Sequence, residues 1–147
     1  MSNNQNYTLI TGGALSIIAS LLHIAIIIGG AEWYRFFGAG EELASMSENG
    51  SWYPGLLTFV ISVVLFVWGL YAFSGARLIR KLPFLKIALV LIATIYLFRG
   101  IAIIPVYFFQ RDIVDEFLIW SSAICLIYGV LYVVGTAQVW KELTLDC

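Results

Sequence analysis

Residues 12–30 read GGALSIIASLLHIAIIIGG, a run without charge except for whatever His23, the protein's one histidine, takes up. Wound as an α-helix, the run places Gly12, Ser16, Ala19, Ser20, His23 and Gly30 on one face, because they recur at three- and four-residue steps. The opposite side is Ile, Leu and Ala. A helix with an apolar back and a small, polar front buries that front against other helices and leaves the back in hydrocarbon. This reading fixes the expectation for the whole chain.

Working outward, the same pattern repeats. The chain has 147 residues, 61% of them hydrophobic and 12% charged, with a mean hydropathy of +0.93. Soluble domains carry about twice that charge density. Residues 49–76 and 117–140 contain no charged side chain, and 83–105 contains only Lys86 and Arg99. Each run reaches the ~20 residues needed to cross a bilayer. The expected fold is therefore all-α, a four-helix transmembrane bundle forming a single membrane domain over 1–147. Its spans are expected at about 8–30, 55–76, 83–105 and 117–140. The first span is too long in its apolar core, and too poor in preceding basic residues, for a cleaved signal peptide. In the second span Gly55, Thr58, Ser62, Leu65, Gly69, Ala72 and Ala76 share a face, and in the fourth Ser122, Cys125, Gly129 and Thr136 do. Small residues at this spacing let helix backbones approach in lipid. Pro54 and Pro83 sit where a helix begins, and Pro105 is expected to end the third span.

The loops orient the chain. Residues 31–54 hold Glu32, Glu41, Glu42 and Glu48 against Arg35, and residues 106–116 hold Asp112, Asp115 and Glu116 against Arg111. The middle connection carries Arg77, Arg80 and Lys81, with Lys86 a turn later. By the positive-inside rule the middle connection and both termini are expected in the cytoplasm, in a plasma or inner membrane. Trp33, Tyr34, Trp52, Tyr53, Tyr107, Phe108, Phe109 and Trp120 then gather at the outer interface. In the outer loop 31–54, Trp33, Phe36, Phe37, Gly40, Leu43 and Ala44 share one helical face, and Glu41, Glu42, Ser45 and Glu48 fall toward the other. The expectation is a short interfacial amphipathic helix, interrupted near Gly38 and Gly40. Asn49-Gly50-Ser51 matches a glycosylation sequon but reads as a turn before the second span.

Two side chains are costly in hydrocarbon. His23 lies ~10 Å inside the outer end of the first span and Arg99 ~9 Å inside Pro105, at 1.5 Å per residue. Arg99 stays protonated, so it recruits a partner. Its candidate ion-pair partners are Glu32, Glu41, Glu42, Asp115 and Glu116. The other reading is a guanidinium offered to an anionic or carbonyl ligand. Burial favours a neutral His23, able to donate through one nitrogen and accept through the other. It is satisfied either by Ser20, Ser62 or a backbone carbonyl, or by the ligand. Tyr96, one turn from Arg99, is a candidate proton donor. His23, Arg99, Tyr96, Ser20, Ser62 and Ser122 thus form the expected ligand set, in a cavity in the outer half.

Several chemistries are excluded or disfavoured. One histidine, with Cys125 inside a span and Cys147 at the end, makes neither a zinc site nor a disulfide framework, and no cofactor is expected. There is no phosphate loop, nucleophile motif or CxxC. No carboxylate lies inside a span, as a proton-coupled cation exporter requires. Nucleic acid is not an expected partner at net charge −1. The leading reading is a small polytopic protein that binds a lipophilic molecule with an anionic or carbonyl head (quinone, lipid or isoprenoid-like). The expected mechanism is binding and presentation, or modest acid–base chemistry with Tyr96 as the donor. Two other readings are an accessory subunit of a larger membrane complex and a small dimeric anion transporter or channel.

Overall fold

The computed structural model describes residues 5–114 and 116–145, so Asp115 and Cys147 lie outside it. All regular structure among these residues is helical. The long elements are α1 (Tyr7–Gly29), α4 (Tyr53–Gly75), α5 (Leu85–Ile101) and α7 (Glu116–Leu145). Between them lie α2 (Ala31–Phe36), α3 (Glu41–Glu48), α6 (Ile103–Phe109) and a single 3₁₀ turn at Arg111–Ile113. Four stretches are long and apolar enough to cross a membrane: Tyr7–Gly29, Tyr53–Gly75, Leu85–Phe109 and Glu116–Lys141. They coincide with the four uncharged or nearly uncharged runs of the sequence.

The third stretch departs from expectation. Pro105 does not end it but sits in the first turn of α6, and the helix instead breaks at Ala102. Proline lacks an N–H and its ring crowds the carbonyl four residues back, here Ile101. The break therefore falls upstream of the proline, and the apolar stretch runs on to Phe109.

The chain divides into two compact units, Ser16–Val67 and Met1–Leu15 with Trp68–Cys147. In the first, serine hydroxyls clasp α1 to α4. Ser20 Oγ donates to the Ser62 carbonyl at 2.8 Å, and Ser62 Oγ donates to the Ser20 carbonyl at 2.9 Å. Both side chains are buried, as the small-residue stripes require. Ile26, Tyr34 and Ala44 form a core with Ala31 and Phe37 around α2 and α3. Tyr34 is 2% exposed and its phenol oxygen accepts a hydrogen bond from Thr58. Gly38 and Gly40, both at positive φ, separate α2 from α3. The loop thus holds two short helices, where the sequence pattern suggested one interrupted helix. Arg35 ties them together: Nε and Nη2 reach the two oxygens of Glu41 at 2.8 and 2.6 Å, and Nη1 reaches Glu48 at 2.6 Å. The guanidinium holds both carboxyls below the ordinary glutamate range, and they raise its own pKa further.

In the second unit Asn6 begins α1. Its side-chain oxygen accepts the Leu9 N–H at 2.8 Å, an N-cap, while its amide reaches the Gly135 carbonyl and Gln138. Leu9 is completely buried beside Gly75 and Gly135. α5 and α7 pack closely because Gly100 faces the backbone nitrogen of Leu126 and Gly129 that of Leu97. A β-carbon at either would come within 2.9 or 3.0 Å of those atoms. Tyr96 is the hub of the aromatic packing, with ring centroids 4.9 Å from Trp68, 5.3 Å from Tyr128 and 5.5 Å from Tyr132. Tyr128 and Tyr132 donate their hydroxyls to the carbonyls of Leu15 and Trp68. The connection from α4 to α5 is held by Ser74, whose hydroxyl donates to the Arg80 carbonyl and accepts from Leu82 N–H.

Candidate functional site: an arginine on the α5–α7 face

Arg99 occupies the last turn of α5, with Gly100 next to it to admit α7. Because the apolar stretch reaches Phe109, Arg99 lies about ten residues from one end and about fourteen from the other. That is deeper than the sequence reading had it. Its head turns to α7, where Nη1 donates to Ser122 Oγ at 3.1 Å and Nη2 to Ser121 Oγ at 3.2 Å. Ser122 is buried and Arg99 is exposed as a residue, its two terminal nitrogens reaching from α5 to α7. Ser121 passes its own proton to the Leu118 carbonyl, leaving its oxygen lone pairs for the arginine.

Arg99 has no ionic partner among the described residues. An arginine at mid-bilayer costs roughly 3 kcal/mol. Hydrogen bonds donated by a charged group are stronger than neutral ones, so the two offset much of such a cost, but they supply no opposite charge. Neither serine carries a charge. Among the described residues the ion pairs are those of Arg35 with Glu41 and Glu48. Of the five carboxylates considered for Arg99, Glu41 bonds Arg35, Glu32, Glu42 and Glu116 are exposed, and Asp115 lies outside the described residues.

The other expected site residues divide into groups. Ser122 joins Arg99 directly, and Tyr96 lies one turn away on α5, buried within the tyrosine and tryptophan rings. Ser20 and Ser62 come together, but each commits its proton to the other's backbone carbonyl. His23 is half-buried, and its Nδ1 lies 2.7 Å from the Ala19 carbonyl one turn back. Because a carbonyl can only accept, that geometry makes Nδ1 the donor. Ser121 and the tyrosine pair Tyr128 and Tyr132 were not among the expected residues. Their signal is the four-residue step from Tyr128 to Tyr132, and from Cys125 to Gly129, along one side of α7.

Among the described residues no group of three His, Cys, Asp or Glu side chains is arranged to hold a metal ion. Cys125 is a free thiol. An apolar cleft of about 420 Å³ opens between Val90, Thr94 and Leu97 of α5 and Val133, Thr136 and Trp140 of α7. Within it the buried Thr136 hydroxyl has no hydrogen-bond partner. Comparison of the chain with protein-family models, with curated proteins and with solved structures returns no match.

Proposed function

We propose that this is a small multi-pass membrane protein that binds a lipophilic molecule through an anionic or carbonyl head placed at Arg99. The observation that carries the reading is the guanidinium in the middle of an apolar stretch, bonded to two neutral hydroxyls, on a residue that is itself exposed. Such a group has N–H donors to spare and a charge that its neighbours do not balance. A carboxylate, a phosphate or a quinone-type oxygen supplies what is missing, and the planar fork suits two-point contact. The tail of the molecule lies along the apolar outer side of α5, where Phe98 is 76% exposed. Binding and presentation follow from this arrangement. Catalysis is not part of the proposal.

The same reading sets the chain as a four-helix bundle with the loop carrying Arg77, Arg80 and Lys81 in the cytoplasm, together with both termini. α2 and α3 then rest in the outer interface, their aromatic side toward lipid.

Thermal unfolding before and after extensive detergent washing tests the function. Wild-type protein is expected to lose stability on washing, as a bound molecule is stripped, whereas Arg99→Leu responds little. An Arg99→Leu variant that is more stable than wild type in both states, with washing immaterial to either, would leave the arginine without a ligand and end the proposal.

A further inference from the structure

At the opposite end of α5 from Arg99, a cleft of about 200 Å³ opens beside the loop that follows α4. Its polar side is Ser74, Arg77 and Lys81, and its apolar side is Leu85, Val139 and Leu143. We infer that this cleft binds the phosphate head of an anionic glycerophospholipid, with Arg77 and Lys81 on the phosphate and the start of an acyl chain against Leu85, Val139 and Leu143.

Three observations point there. First, Arg77 stands at φ +63, in the left-handed region, immediately after α4. The helix ends with Arg77 N–H on the Ser74 carbonyl and Leu78 N–H on the Phe73 carbonyl, a geometry in which the left-handed position is ordinarily glycine. An arginine kept in a strained backbone is a mark of function, because glycine there would stabilise the fold. Second, the loop is fixed rather than loose. Ser74 bonds it at Arg80 and Leu82, and the Tyr71 hydroxyl donates to the Pro83 carbonyl. Third, the surroundings suit a lipid more than a soluble anion. The cleft lies where two membrane-length helices end and begin, half of its lining is apolar, and Phe84 beside it is 79% exposed. Lys86 Nζ lies 4.1 Å from the ring centroid of Trp140, an aromatic–cation pair suited to the headgroup level. Basic clefts between helices at an interface recognise anionic headgroups by this combination.

The site is independent of the reading of Arg99, and the test keeps them apart. Full-length protein is reconstituted in nanodiscs of equal phosphatidylglycerol and phosphatidylcholine, then released into gentle detergent, and the retained lipids are counted by native mass spectrometry. Wild type is expected to retain phosphatidylglycerol preferentially, by about fivefold for each contributing cation. Arg77→Gly is expected to melt higher than wild type in pure phosphatidylcholine, because the strain is relieved, yet to lose about fivefold of this preference. Lys81→Gln should weaken the preference, and Arg99→Leu should keep it. Equal retention of both lipids by wild type would overturn the inference, as would an Arg77→Gly variant with undiminished preference. Displacement of phosphatidylglycerol by inorganic phosphate at tens of millimolar would also overturn it, leaving a site for free anions.

Discussion

At the scale of single residues the protein separates hydroxyls that hold it together from Arg99, a cation whose bonded partners are neutral. Ser20 and Ser62 each donate a hydrogen bond to the other's backbone carbonyl, and Tyr132, fully buried, donates to the Trp68 carbonyl. Replacing either serine by alanine is expected to cost about 0.6–1.7 kcal/mol, and a double-mutant cycle of chemical unfolding should reveal a coupling energy of similar size. Tyr132→Phe should cost about 1 kcal/mol by the same assay, since it keeps the ring packing and loses one hydrogen bond. Arg99 differs from these in having neutral partners for a full charge. Its presence in a span was plain from the sequence, but its bonding was not. Charge balance pointed to loop carboxylates, whereas helix packing brought the hydroxyls of Ser121 and Ser122 to it. His23 was legible in the same partial way. A backbone carbonyl was one of the partners expected, and the chain supplies Ala19.

At the scale of elements, length and charge spacing located the helices, and side-chain size located their contacts. The faces read from Gly12 to Ser20, from Gly55 to Ala76 and from Ser122 to Thr136 are buried or half-buried. Gly129→Ala is therefore expected to loosen α5 against α7 and lower the melting temperature by several degrees, because the new methyl meets the Leu97 backbone. Gly55→Ala, with Ile27 at an ordinary 3.8 Å, should change it little. The Pro105 rule placed the third boundary wrongly because it treats proline as a stop. A proline in the first turn of a new helix costs nothing there, and the chain resumes at once as α6. The α2–α3 pair carries its own pH dependence. The carboxyls of Glu41 and Glu48 are lowered chiefly by hydrogen bonds from Arg35, so they titrate at lower pH in the folded chain than in the unfolded one. Their contribution is present above the ordinary glutamate value of about 4.3 and is lost as pH falls through the lowered one. Arg35, raised by the same contacts, stays charged throughout that window. Amide exchange in residues 31–48, corrected for intrinsic rates, should quicken on acidification below pH ~4, and Arg35→Gln should show the faster exchange already at neutral pH. Equal protection in both proteins at neutral pH would mean that the clamp does not order these helices.

At the scale of the whole molecule, the membrane assignment rests on four helices of sufficient length and apolarity, and orientation rests on where the cations fall. With Cys125 and Cys147 replaced by serine, an impermeant maleimide should label Ser51→Cys in intact cells and Leu78→Cys only after permeabilisation. The reverse pattern would invert the topology. Composition is too uniform along the chain to reveal its division into two compact units, because that division cuts across α1 and α4 rather than falling in a loop. The Asn6 cap was likewise hidden, since its partners Gly135 and Gln138 lie at the far end of the sequence. The proposed function turns on Arg99, and one measurement addresses it most directly. Wild type and Arg99→Gln, purified gently side by side, are extracted and their retained lipophilic metabolites compared by mass spectrometry. The account predicts a species with a carboxylate, phosphate or quinone-type head that is near-stoichiometric in wild type and depleted at least tenfold in the variant. Identical extracts, matching the bulk membrane lipids in proportion, would contradict it.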